Sequence, residues 1–245
     1  MKRILTAALF SVAINTCAIS TFAQSESRDD ILRKITATRA ELESKKSELT
    51  ALEDKFLAAS DEDVAAYAEF LQQPDSGITR LLPRETFDNK NTLTTRGGGA
   101  YYSFTRRTHE YGLGTQVGLE QDTLGTSFYG ADYGMLARLG NVPLNTLNLD
   151  NPAAKFLASY EAVSEEPQAR SEYGRFSNGV RVDDVLYKTH QQAIVNNTYV
   201  LRAIHYSDSD VLVAFRIVRK ELDDSVIILW RVLKKYPKPV LVRAN

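Results

Sequence analysis

The chain has 245 residues, with 30 Lys and Arg against 31 Asp and Glu, a formal net charge of −1, and a single cysteine, Cys17. Near-neutrality gives no argument for nucleic acid or an anionic membrane as partner, and one cysteine excludes a disulfide framework and a thiolate metal site. Apolar residues at 43% and charged residues at 25% are ordinary globular values, enough to build a sizeable core.

The first predicted element is a secretory leader. Lys2 and Arg3 precede an apolar run from Ile4 to Ile14, broken only by Thr6 and Ser11. Thr21-Phe22-Ala23 then places small residues at the −3 and −1 positions of a cleavage site. The expectation is a signal peptide over 1–23, a new N-terminus at Gln24, and a secreted or periplasmic protein. Cys17 falls inside the leader, where Ile14-Asn15-Thr16 does not suit a lipidated cysteine. No later segment reaches the ~20 apolar residues that span a bilayer, so no transmembrane segment is expected after cleavage.

Residues 24–77 read as a helical arm. Ser27-Arg28-Asp29-Asp30 has the form of a capping box, and Ile31, Ile35, Thr38, Leu42, Lys45, Leu49, Leu52, Phe56 and Ala59 recur at alternating spacings of four and three. This is the spacing of a coiled coil. Thr38 and Lys45 weaken the seam, so packing within the chain competes with pairing to another chain. Ser60-Asp61-Glu62-Asp63 opens a second helix to about Gln73, closed by the turn letters Pro74-Asp75-Ser76-Gly77. Residues 78–91 read as a linker.

From 92 to 245 the pattern is that of a mainly β globular domain. Residues 101–106 alternate between two faces, and Thr115–Gln121, Thr126–Gly130 and Tyr133–Leu139 are short strand candidates. Asn151 and Pro152 suit the cap and first turn of a helix reaching about Glu161, whereas 164–184 is polar and reads as a surface segment. Thr198–Tyr206, Val211–Glu221 and Val226–Tyr236 predict an antiparallel meander. A two-residue turn at Asp223-Asp224 would place Ile217 opposite Trp230, Phe215 opposite Val232 and, on the other face, Arg216 opposite Arg231. The basic C-terminal stripe of Arg231, Lys234, Lys235, Lys238 and Arg243, with Pro237 and Pro239, reads as protection of an edge strand in preference to an anion-binding surface. The fold class is therefore α+β: a helical arm followed by antiparallel sheet ending in three sequential strands.

The segment from Arg96 to Glu110 concentrates the letters that carry chemistry. Gly97-Gly98-Gly99 can turn backbone N–H groups toward an anion, although no Gly-Lys-Ser/Thr follows. Tyr102, Arg106 and His109 add an aromatic wall, a cation and a base. The candidate ligand-binding residues are Arg96, Gly97, Gly98, Gly99, Tyr102, Arg106 and His109. For each, a bend or an ordinary strand face is the plainer account. His109, His190 and His205 show no metal-ligand spacing, so no metal or cofactor is implied. Asn196-Asn197-Thr198 matches a glycosylation acceptor, meaningful only in a eukaryotic secretory pathway. No nucleophile motif is present. The expected function is an exported, non-enzymatic binding or assembly protein of the cell envelope or extracellular space, meeting a second copy or another protein through the arm. The alternative is a secreted hydrolase around Arg96–Glu110, with Glu110 or Asp132 as its acid.

Overall fold

Residues 27–88 and 96–242 are described by a computed structural model. The expected leader and its cleavage site, the linker residues 89–91 and Arg243 lie outside the described residues. The described residues divide into two units, one up to Lys45 and one from Lys46 onward.

Helix α1 (Arg28–Leu57) starts where the capping box placed it: the Asp30 amide donates to Ser27 Oγ at 3.1 Å, and Asp29 and Asp30 sit in the first turn, where acids complement the helix dipole. Ser60 caps α2 (Asp61–Ala66) by accepting from the Asp63 amide at 3.1 Å. Tyr67 leaves helical geometry, and the chain resumes as α3 (Ala68–Leu71), so the second predicted helix is broken in two. The expected linker then begins as a strand. Residues Ser76–Leu81 form β1, which pairs antiparallel with the last strand of the protein. The turn letter Gly77 misled because it is there for space: a Cβ on it would lie 2.3 Å from the Trp230 ring. A short helix α4 (Glu85–Asp88) follows.

The β-rich region runs β2 (Tyr101–Ser103), β3 (Thr108–His109), β4 (Val117–Glu120), β5 (Thr123–Gly125), β6 (Tyr133–Gly140), α5 (Pro152–Ser159), α6 (Glu166–Asn178), β7 (Val180–Val182), β8 (Val185–Lys188), β9 (His190–Gln192), β10 (Thr198–His205), β11 (Ser209–Lys220) and β12 (Val226–Lys235). Asn151 caps α5 as predicted, its side chain accepting from the Ala153 amide at 3.1 Å. Two expectations are corrected. Thr126–Gly130 is loop, because Ser127 turns to φ +74°, and its predecessor Thr123–Gly125 is the strand. Residues 164–184, expected as irregular surface, hold α6 and β7; only Ala169 and Phe176 of α6 are buried, too thin a stripe to show a helical period.

All named strand pairs are antiparallel. One sheet has the order β1-β12-β11-β10-β6-β8-β7 and the other β3-β2-β4-β5-β9. The fold is α+β, a long N-terminal helix followed by antiparallel sheets. One core joins Tyr102, Val117 and Leu119 of the smaller sheet, with Phe104 of the turn after β2, to Tyr199, Phe215, Ile228 and Trp230 of the larger. A second joins the opposite face of the larger sheet, through Val200, Ile204, Leu212 and Leu229, to Leu157 of α5 and Phe176 of α6. The larger sheet is thus the middle layer of three. This explains why every residue of β10 is buried and why its sequence lacks the alternation of a one-sided strand.

The meander is present, with its register shifted. The β11–β12 connection spans Glu221 to Ser225, whose amide and carbonyl close it at 2.8 Å, and Val218 bulges out of the ladder. Phe215 faces Trp230 and Ile217 faces Ile228, a slip of two from the expected pairing. A slip of two keeps each side chain on its face. It also sets Arg216 opposite Leu229, which removes the like-charge pair. Strand β12 is not an edge, since β1 covers it. Its cations are used locally: Arg231 donates to Gln73 Oε1 at 2.9 Å and Lys235 to Asp75 at 2.8 Å.

Candidate functional site

The segment 96–110 folds back on itself, and the structure shows what each of its polar groups touches. The three glycines make one turn of 3-10 helix, all at positive φ. A Cβ on Gly99 would meet Leu57 Cδ2 at 2.2 Å, and one on Gly97 would meet Tyr111 Cβ at 2.9 Å. Gly99 therefore lets the buried end of α1, and Gly97 the Tyr111 side chain, approach the backbone closely. Arg96 reaches Asp54 of α1 at 2.9 Å and donates to Thr108 Oγ1. Arg106 donates to Glu110 and to the Leu113 carbonyl, each at 2.9 Å, and also pairs with Asp208.

Tyr102 and His109 are cross-strand neighbours and lie ring to ring, centroids 5.1 Å apart. Burial drives the Tyr102 hydroxyl up to about 12. His109 Nε2 donates to the Arg80 carbonyl at 2.7 Å and lies 3.3 Å from Thr79 Oγ1. Because a carbonyl only accepts, the proton sits on Nε2. Burial, opposed by that bond, lowers the imidazole's pKa. Triad chemistry needs the base to meet a carboxylate and a nucleophile. Among the described residues His109's hydrogen bonds go to a carbonyl and a threonine, and Glu110 bonds to Arg106.

Elsewhere, Arg202 and Asp210 form a fully buried ion pair, at 2.6 Å and 2.8 Å. Arg202 also donates to the Leu157 carbonyl at 2.6 Å and stacks on Tyr236. Every charge there is answered, which marks a structural tie between sheet and α5. His205 differs: it is buried, neither ring nitrogen has a hydrogen-bond partner among the described residues, and burial lowers its pKa to about 4.

A second place where polar groups remain unanswered lies in the loop between β5 and β6. Ser127 Oγ is buried without a hydrogen-bond partner among the described residues, and Ser127 stands at φ +74°. Such a conformation is uncommon for a residue with a Cβ, and an unmade buried hydrogen bond costs about 1–3 kcal/mol. Asp132 is 6% exposed. Its Oδ1 accepts from the Tyr206 amide at 2.9 Å, and it has no salt-bridge partner among the described residues. Burial, and secondarily the nearby Asp208, raise its pKa to about 6 despite that bond. These two residues, with Tyr129 and with Arg170 and Tyr173 of α6, line a cavity of about 330 Å³.

Only Asp132 of this cavity was named from sequence, as a hydrolase acid. Nothing in the letters places Ser127 in a left-handed conformation, and α6 itself was read as irregular. The sole hint is a glycine-flanked aromatic pair, Phe128-Tyr129, before the Asp. Comparison of the chain with protein-family models, curated proteins and solved structures gave no significant match.

Proposed function

We propose that this is an exported, non-enzymatic protein that assembles with further copies of itself through α1. The observation that supports it most is the face of that helix. The seam residues Ile31, Ile35, Leu42, Leu52 and Phe56 are 42–61% exposed, on one stripe at heptad spacing. Isolated exposed apolar residues are ordinary, but an aligned row on a 30-residue helix is an interaction surface in want of a partner. Completing the burial of five such side chains gives roughly 1 kcal/mol each per chain, so about 10 kcal/mol for a pair. Association costs about 4–15 kcal/mol, so the assembly is weak to moderate and concentration-dependent. The leader grammar of residues 1–23 supports export.

The hydrolase alternative draws less support, because the hydrogen bonds of His109 and Glu110 are directed at protein partners rather than at each other. The test is multi-angle light scattering of residues 24–245 across a concentration series, beside the double variant Ile35→Asp, Leu42→Asp. Both positions are exposed, so the variant is expected to fold. A mass rising toward a dimer, abolished in the variant, is the expected result. A monomer at every concentration overturns the reading.

A further inference from the structure

The β5–β6 loop carries an inference independent of the assembly reading. The chain turns twice through positive φ between Gly125 and Asp132, at Ser127 and at Gly130. A Cβ at Gly130 would meet nothing within 4 Å, whereas Ser127 already carries its side chain through the strained turn. Among the described residues the result is a buried hydroxyl oxygen with no hydrogen-bond partner, a buried carboxylate with no salt-bridge partner, and a cavity of about 330 Å³ whose lining includes both Ser127 and Asp132. That volume suits a small organic molecule. Tyr129 and Tyr173, 58% and 40% exposed, line it with aromatic surface.

Charge decides among ligand classes. Among the described residues the one cation lining the cavity is Arg170, which is bonded twice to Glu166 Oε1, at 2.9 Å and 2.6 Å. An anionic ligand would have to lie beside the unpaired Asp132 carboxylate with no free cation to offset it. A neutral polyol would leave that carboxylate uncompensated, at a cost buried charges rarely sustain. A metal ion needs further ligands, and no group of three His, Cys, Asp or Glu side chains converges among the described residues. An ammonium group answers each feature. It offers N–H donors to Asp132 and to Ser127 Oγ, and it is attracted to tyrosine faces.

We propose that this cavity binds a small protonated organic amine, with its ammonium on Asp132 and Ser127 and its carbon chain against Tyr129 and Tyr173. Binding then follows the ionisation of Asp132. The charged group acting on that carboxylate is Asp208 on the β10–β11 turn, itself paired with Arg106, and Arg170 of α6 lines the same cavity; burial lowers the pKa of His205, next to Tyr206 in the chain, to about 4. Above about pH 6 Asp132 is the anion the ligand needs; below it each pH unit weakens binding about tenfold.

The experiment is an NMR titration of residues 24–245 with n-butylamine, beside its neutral counterpart 1-butanol, at about pH 8 and about pH 5. The expected result is saturable shifts confined to amides of 127–132 and 170–173 with the amine, at least about tenfold weaker at the lower pH, and no such shifts with the alcohol. Asp132→Asn keeps the acceptor for the Tyr206 amide and is expected to abolish binding. Tyr173→Leu, on the exposed side of α6, is expected to weaken it severalfold and secures the test should the Asn variant misfold. No saturable shift with butylamine overturns the proposal, as does equal binding of butanol or undiminished binding by a folded Asp132→Asn.

Discussion

Two loops of the β-rich region are rich in the same kinds of letter, and they use them in opposite ways. Between Arg96 and Glu110 the cations and acids reach across to protein partners: Arg96 to Asp54, Arg106 to Glu110 and Asp208, His109 to a backbone carbonyl. Between Ser127 and Asp132, among the described residues, a hydroxyl is buried without a hydrogen-bond partner and a carboxylate without a salt-bridge partner, and both residues line a cavity. Charged and aromatic letters, however dense, become scaffold when the fold supplies partners. Ordinary letters become a binding surface when the fold withholds them. The two loops should therefore respond differently to substitution, the first losing stability and the second losing little or gaining.

The largest effect is expected at Gly99. Its φ is +77° and a Cβ would stand 2.2 Å from the buried Leu57, so Gly99→Ala should cost about 2–4 kcal/mol, read as a fall in the urea midpoint. The matched change in the other loop, Gly130→Ala, carries only backbone strain at φ +60° and should cost about 1 kcal/mol. Equal costs would break the contrast between scaffold and open loop.

Next is Asp132→Asn. The folded carboxyl holds its proton up to about pH 6, against an ordinary value of 3.8. The folded state then binds the proton more tightly than the unfolded chain, so stability falls as pH rises from about 4 to about 6 and is level above. Asparagine removes that loss. The variant should be more stable than wild type by about 1–3 kcal/mol at pH 8 and equal to it below about pH 4, measured by urea unfolding at both. Destabilisation at pH 8 would mean that Asp132 serves the fold.

The contrast also marks what could be read from the letters. The meander was legible because long apolar runs bounded by Ser-Asp and Asp-Asp pairs admit few other pairings. Its register was not, since a bulge at Val218 and a five-residue turn leave no local sign. Strand β1 was hidden because it pairs with a segment some 150 residues away and carries a glycine for Trp230's sake. Helix α6 was hidden because its apolar stripe is two residues. The segment 96–110 was visible as a cluster of reactive letters, but whether those letters are free depends on Asp54, Arg80 and Asp208, all distant in sequence. The cavity was invisible for the converse reason: what distinguishes Ser127 is a dihedral angle and a missing partner, and neither is a letter.

The smallest effect links the two loops. Asp208 pairs with Arg106 on one side and pushes the Asp132 carboxyl up on the other. Arg106 is 41% exposed on its side chain, so solvent screens its pairs, and Arg106→Ala should cost only about 0.5–1 kcal/mol, diminishing with added salt. Asp208 keeps the Ser209 hydroxyl as a donor at 3.0 Å, so it is not stranded. It loses the cation that offsets its charge, and its field at Asp132 strengthens. The Asp132 titration, followed by carboxyl-carbon NMR, should therefore move upward by a fraction of a pH unit in Arg106→Ala, and amine binding should require a correspondingly higher pH. An unmoved Asp132 titration would show the loops to be electrostatically separate, with Arg106 serving the first alone.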